Sequence, residues 1–162
     1  MRHSAVSRYH RSFGRMSAEF NVRRLLEFCA MQIENRSAEV FAEKDENNER
    51  PIPSAWRSVF REIINAFVHH DYLLSSGIPG VAGVSDSTAT QIKNYIYEYG
   101  ETLTELPEET WDSSICIWTG DRWDALVDLW TISEGRSDLV LSAHVTESKT
   151  GFVFHIYMVY VP

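Results

Sequence analysis

The final third of the chain, about residues 112–161, alternates apolar and polar residues with a period of two. Such alternation is typical of β-strands that bury one face. Four strands fit the pattern, at about 112–119, 122–132, 138–147 and 152–161. Gly120-Asp121 suits a tight hairpin turn, and short Ser- and Gly-containing segments separate the other strands. Because consecutive strands joined by short turns pair with each other, the sequence predicts a four-stranded antiparallel meander.

The preceding part of the chain has the helical period instead. Apolar residues recur three and four positions apart at about 18–33, 54–69 and 88–99, which predicts three amphipathic helices. Ser54 and Ser85–Ser87 are candidate N-caps, and Gly100 suits a helix end. Helices must cover one face of the sheet, because a lone meander would expose both. The predicted fold class is therefore α+β, with three N-terminal helices packed on one face of the four-stranded meander.

Residues 1–16 differ from the rest, with four Arg, two His and no acidic residue. We expect a basic N-terminal extension, disordered and outside the fold. It could be a targeting peptide, a basic arm or the product of an upstream start codon; the last, with Met16 as the true start, is the favoured interpretation. Residues 17–162 have the length of one domain and are predicted to form one.

Charge is distributed unevenly along the chain. Residues 1–61 carry 11 Lys or Arg and 8 Asp or Glu, whereas residues 62–162 carry 4 and 15. An acidic surface repels nucleic acid and attracts basic proteins, so we expect a basic protein partner and no nucleic acid. No apolar run is long enough to span a bilayer, and Cys29 and Cys116 suit buried, reduced thiols of a cytoplasmic protein. No phosphate-binding or zinc motif is present, so no cofactor or metal is predicted.

The turns also predict the strand register. Trp118 should face Trp123, with Cys116 facing Ala125, and His144 should face His155. One side, the apolar face, then carries the core residues Cys116, Trp118, Trp123, Ala125, Val127, Leu129, Leu139, Leu141, Ala143, Val145, Phe152, Phe154, Ile156, Met158 and Tyr160. The opposite side, the mixed face, carries Ile115, Ile117, Asp124, Leu126, Asp128, Trp130, Val140, Ser142, His144, Thr146, Val153, His155, Tyr157 and Val159. On it, Asp128, Ser142 and Tyr157 should form one row beside the two histidines.

The mixed face is the candidate functional surface, because it has too much apolar area for simple exposure to water. Trp130 and Tyr157 would anchor a partner, and the acidic residues Glu108, Glu109, Asp112, Asp124 and Asp128 would attract it. Carboxylates and imidazoles on neighbouring strands can also move protons or bind metals. The weaker catalytic candidates are therefore Asp124, Asp128, His144 and His155, although a polar patch within an interface explains them more simply.

Four segments carry a family resemblance: WRSVFREI (56–63), YEYGETL (97–103), LPEETWDSS (106–114) and RWDALVDLWTISEGRSDLVL (122–141). From Pro51 onward the chain resembles a small bacterial domain family of unknown function. The resemblance implies a shared fold and assigns no reaction. In size and acidity the family is similar to immunity proteins of bacterial toxin systems.

Three functional hypotheses follow. The first is a non-catalytic acidic protein-binding module, immunity-like, which uses the mixed face. The second is a small-molecule-binding protein or hydrolytic enzyme, with a cone-like pocket between helices and sheet or an Asp/His site. The third, compatible with either function, is a homodimer through the mixed face.

Overall fold

The computed structural model describes residues 39–162. Within them, two α-helices and six β-strands follow one another as β1 (Arg50–Pro51), α1 (Ser54–Val68), α2 (Asp86–Tyr99), β2 (Leu103–Thr104), a short 3₁₀ helix (Glu108–Asp112), β3 (Ile115–Trp118), β4 (Trp123–Thr131), β5 (Gly135–Ser148) and β6 (Gly151–Tyr160). The predicted helix at 18–33, the basic extension at 1–16 and Cys29 lie outside the described residues.

Helix α1 covers the apolar face of the sheet. Its buried side chains recur at helical spacing: Trp56, Phe60, Ile63, Ile64 and Phe67. The Trp56 ring makes edge-on contacts with Trp123 and Phe154, at centroid distances of 5.6 and 5.8 Å. Ser54 is the first helical residue rather than the predicted N-cap, and its hydroxyl accepts a hydrogen bond from the backbone N–H of Val40. The residue before α1 is Pro53, whose side chain has no oxygen with which to cap.

Helix α2 begins and ends as its sequence predicts. The hydroxyl of Ser85 accepts a hydrogen bond from the backbone N–H of Thr88 at 3.1 Å, which satisfies one of the free donors of the first turn. Gly100 follows the last helical residue with φ +86°, a left-handed conformation in which glycine has no steric penalty.

The sheet has six antiparallel strands in the order β1-β3-β4-β5-β6, and β2 pairs with β4 beyond the end of β3. The predicted fold class, three helices on a four-stranded sheet, is therefore wrong, since residues 39–162 form two helices and six strands. The four predicted strands overlap β3 to β6. The two additional strands, β1 and β2, have two residues each, too few to show an alternating pattern.

The predicted register is confirmed between β3 and β4 and at the start of β6, but it is wrong by two residues between β4 and β5, where Asp128 pairs with Val140 instead of lying in one row with Ser142. Trp118 pairs with Trp123, Cys116 with Ala125, and His144 with His155. Beyond Ile156 the register between β5 and β6 also fails, because Ala143 pairs with Ile156 whereas Ser142 pairs with Met158. Tyr157 is thus an extra residue, a β-bulge, and every later side chain changes face.

The bulge corrects the predicted end of the apolar face. Val159, which we placed on the mixed face, pairs with Leu141 and is fully buried. Met158 and Tyr160, placed in the core, are only partly buried. The bulge therefore places Val159 over the core, where a regular strand would have placed Met158.

Candidate functional site

Asp124 and His144 meet on the mixed face, as their cross-strand pairing requires. His144 Nε2 lies 3.6 Å from Asp124 Oδ1, and the same oxygen accepts a hydrogen bond from Arg122 Nε at 2.9 Å. The imidazole of His144 also stacks on the Tyr157 ring, with centroids 4.9 Å apart. The bulge that displaces Tyr157 thus brings it over His144.

The protonation of His144 is set by competing neighbours. Burial lowers the pKa of His144 below its ordinary value, and the Arg122 charge lowers it further, while the Asp124 carboxylate acts in the opposite direction. Asp124 in turn raises the pKa of the Arg122 guanidinium, through a hydrogen bond and the opposite charge. The carboxylate is therefore engaged mainly by Arg122, and the imidazole is not stabilised in its charged form.

The remaining catalytic candidates do not join this pair in one site. His155 lies across from His144 and is exposed. Asp128 pairs with Val140 rather than with the predicted row. Its carboxylate accepts a hydrogen bond from Ser113 Oγ at 2.5 Å and faces Arg136 at 3.9 Å. Among residues 39–162, no group of three or more His, Cys, Asp or Glu side chains is placed to hold a metal ion.

The two aromatic candidates differ in accessibility. Tyr157 is 54% exposed, whereas Trp130 is partly buried and packs against the core. A Cβ atom at Gly135 would lie 3.5 Å from the Trp130 ring, so the indole rests on the glycine backbone. Tyr157 is thus the more available side chain for a partner.

The acidic candidates near the 3₁₀ helix have separate surroundings. Glu108 pairs with Arg61, while Glu109 and Asp112 are exposed. Of the five predicted acidic residues, three therefore have a partner within the fold: Glu108, Asp124 and Asp128.

The buried thiol has no visible chemical role. Cys116 is buried in the apolar face and is free. Burial raises its pKa to about 11, and a thiol that stays protonated is a poor nucleophile. The prediction that Cys116 is buried is confirmed.

The sequence did not predict a groove that the structure shows at the helix ends. This acidic groove, of about 1160 Å³, lies where the C-terminal ends of α1 and α2 approach β2. Its apolar lining residues fall into two groups. Phe67, Ile96 and Leu103 are buried, whereas Tyr97 and Ile132 are 83% and 74% exposed. Large apolar side chains with that exposure beside a concave surface are typical of binding sites.

The charges around the acidic groove are mainly negative. Glu98, Glu101 and Glu105 line it, and Lys93 supplies its one lysine or arginine charge. Glu101 accepts a hydrogen bond from Ser133, whereas Glu98 and Glu105 have no ion-pair partner in the described part of the chain. Both helices present their C-terminal ends, which carry partial negative charge.

A histidine side chain caps the C-terminal end of α1. His69 Nδ1 lies 2.8 Å from the backbone carbonyl of Asn65, which also accepts a hydrogen bond from the His69 backbone N–H at 3.2 Å. His70 follows in a left-handed conformation with φ +64°, and both histidines line the acidic groove. One feature of the sequence could have indicated the acidic groove: Tyr97 is a large aromatic residue that lies outside the apolar stripe of α2.

The architecture defines the chain as a sheet-and-helix domain with an acidic groove at its helix ends. The chain belongs to the family described as Domain of unknown function (DUF7668), whose model matches residues 64–162. This confirms the resemblance to an uncharacterised domain family. No curated protein and no solved structure matches the chain. Within residues 39–162, no helix is both long and apolar enough to cross a membrane.

Proposed function

We propose that the protein is a non-catalytic binding module that captures a basic segment of another protein in the acidic groove. The observation that carries the proposal is the groove itself, in which Glu98 and Glu105, without an ion-pair partner among residues 39–162, lie beside exposed apolar side chains. A basic segment with one or two large apolar residues would satisfy both features. The immunity-like role is one biological setting in which such capture would be used.

Electrostatics favour a cationic ligand. Three glutamates and two helix C-termini face the acidic groove, against Lys93 and two histidines. A cleft lined by one sign of charge focuses the field and raises the rate at which oppositely charged molecules arrive. The binding should therefore weaken as salt is added, because dissolved ions screen exposed charges.

Apolar contact would supply the specificity that charge alone lacks. Tyr97 and Ile132 stand exposed beside the buried lining residues Ile96 and Leu103. Tyrosine is enriched among the residues that dominate binding energy, since its ring buries a large area and its hydroxyl stays hydrogen-bonded. We expect Tyr97 to be the principal anchor.

The mixed face remains the second candidate surface for the same function. Its Tyr157 is exposed and stacks on His144 beside Asp124. Its acidic residues are less suited to attract a cation, because Arg122 and Arg136 already face Asp124 and Asp128. The acidic groove is favoured because Glu98 and Glu105 have no such partner among residues 39–162.

The first test uses a synthetic peptide of alternating Arg and Leu carrying a fluorescent label, with a Glu and Leu peptide as control. Fluorescence anisotropy measures the affinity of the native protein and of Tyr97→Ala. We expect the basic peptide alone to bind, and Tyr97→Ala to weaken binding about tenfold, as for a typical aromatic anchor. Absence of binding to the basic peptide would contradict the proposal.

A charge-matched comparison separates specific from general attraction. Glu98→Gln with Glu105→Gln removes two charges from the groove, and Glu109→Gln with Asp112→Asn removes two from the 3₁₀ helix. The first pair should weaken binding more than the second, because attraction falls with distance. Equal losses would mean that net charge alone governs binding. A loss in Tyr157→Ala but not in Tyr97→Ala would transfer the site to the mixed face.

A further inference from the structure

Two consecutive histidines lie at the rim of the acidic groove, where α1 ends. His69 and His70 are exposed and line the groove. His69 Nδ1 contacts the Asn65 carbonyl, and because a carbonyl oxygen only accepts, this nitrogen carries the ring hydrogen and Nε2 can take up a second proton. His70 Nδ1 lies 3.2 Å from the Tyr72 hydroxyl. Within the described residues, no hydrogen bond engages the Nε2 atom of either ring.

Protonation of His69 leaves its ring in place. A hydrogen on Nε2 preserves the bond from Nδ1 to the Asn65 carbonyl, and a charged donor makes the stronger hydrogen bond. The C-terminal end of α1 carries partial negative charge, which stabilises a cation at this position. The positive charge gained at lower pH therefore stays beside the acidic groove.

The charged and titratable groups around the two histidines come from several elements. They are Glu62 on α1, Asp71 and Tyr72 in the following loop, Lys93 and Glu98 on α2, and Glu101 and Glu105 on either side of β2. In the acidic groove itself, three glutamates against one lysine leave two excess negative charges while the histidines are neutral. Protonation of both histidines cancels this excess. Histidine is the side chain whose ordinary charge change falls between about pH 5 and pH 8.

We propose that His69 and His70 make the capture of a basic segment dependent on pH. The acidic groove holds its ligand at neutral pH and releases it as the two imidazoles become charged. This inference rests on the proposed function. Arginine in the ligand stays protonated over the whole range, so the change lies in the groove, where attraction is lost and the imidazolium groups repel the guanidinium groups. Apolar contact with Tyr97 persists, so affinity falls without vanishing.

The test repeats the titration with the Arg and Leu peptide at about pH 8 and about pH 5.5, using a label insensitive to pH. Fluorescence anisotropy gives the ratio of the two Kd values. We expect the native chain to bind about tenfold more weakly at the lower pH. His69→Asn combined with His70→Asn should bring the ratio close to unity.

Asparagine suits both positions. Its amide N–H can replace the Nδ1 hydrogen of His69 as a donor to the helix end. It also tolerates the left-handed conformation of His70, whose φ is +64°. The single variants should each lower the ratio in part, and they provide the same comparison if the double variant folds poorly.

His155→Asn is the matched control, since it removes an exposed histidine from the mixed face and should keep the native ratio. A basic peptide that does not bind at the higher pH would contradict capture itself, and the pH dependence with it. Binding at the higher pH that fails to weaken at the lower one, or that weakens equally in the double variant, would overturn the pH dependence alone. A ratio lost in His155→Asn and kept in the double variant would overturn it too, because the titrating group would lie on the mixed face.

Discussion

The apolar face and the mixed face belong to the same strands, yet they contribute in different ways. On the apolar face, Trp123 and Leu141 are buried under α1 and pack against other apolar side chains. On the mixed face, Asp124 and His144 meet in a partly exposed polar contact with Arg122 and Tyr157. Burial of apolar area is the main source of folding free energy, whereas exposed polar contacts add little.

The comparison shows how a period of two separates stability from surface chemistry within one sheet. Substitutions on the mixed face can change recognition while the core remains intact. The bulge at Tyr157 marks the limit of this separation, because it exchanges the two faces for the rest of β6.

The largest difference between the two faces is expected in the loss of unfolding free energy when Trp123 or Tyr157 is replaced by alanine. The Trp123 ring contacts the rings of Trp118 and Phe152, and its Nε1 donates a hydrogen bond to the Glu43 carbonyl at 2.8 Å. Trp123→Ala should lower the free energy of unfolding by about 3–5 kcal/mol. Tyr157→Ala should lower it by less than about 1 kcal/mol, as for most exposed positions. Urea unfolding measures both, and similar costs would contradict the assignment of faces.

At the bulge, we expect a smaller difference in stability loss between alanine variants of two neighbouring residues. Val159 is fully buried and Met158 is partly exposed, so Val159→Ala should cost about 2 kcal/mol and Met158→Ala less than about 1 kcal/mol. A regular strand would reverse the order. The two variants are compared by thermal and urea unfolding under identical conditions. A larger loss in Met158→Ala would show that β6 has no bulge at Tyr157.

The smallest expected effect is the pH dependence of stability that His144 contributes. Because burial and Arg122 lower the pKa of His144 in the folded chain, the unfolded chain takes up this proton first as pH falls. The contribution of His144 is therefore fully present above its ordinary pKa of 6.5 and is lost as pH falls through the lower folded value. In His144→Gln this dependence should be absent. Urea unfolding between about pH 5 and pH 8 measures the difference between the two chains, and parallel profiles would contradict it.

Elements with a long, repeated pattern were predictable. The five buried positions of α1 repeat over several turns, and the Ser85 and Gly100 signals at the ends of α2 are local. The hairpin at Gly120-Asp121 likewise determines the Trp118–Trp123 pair. These features depend on residues close in sequence, so the chain alone contains the information.

The remaining features depend on contacts between distant segments. Pro51 joins an edge strand through a two-residue pairing with β3, which leaves no periodic signal. The extra residue at Tyr157 changes the register without a glycine or proline to announce it. The acidic groove exists because the ends of two helices meet β2 in space, and no spacing in the sequence shows that Tyr97 and Ile132 lie on one surface.

The positions of the candidate binding residues were predicted only in part. Tyr157 is exposed on the mixed face, and Asp124 and His144 both lie on that face as predicted, but their direct pairing was not predicted. Sequence patterns could not show that Arg122 and Arg136 face Asp124 and Asp128, because ion pairing depends on side-chain conformation. The proposal of a basic partner stays a prediction, as does the single domain at 17–162.

The burial pattern of α1 has a practical consequence for defining the folding unit. The family match begins at residue 64, inside α1, after Trp56, Phe60 and Ile63 have already entered the core. The hydrogen bond between Ser54 and Val40 extends this dependence further upstream. A chain trimmed to the matched residues would lose the aromatic cover of its sheet and expose Trp123 and Phe154. The smallest autonomous unit should therefore begin near Val40, some way before the family boundary.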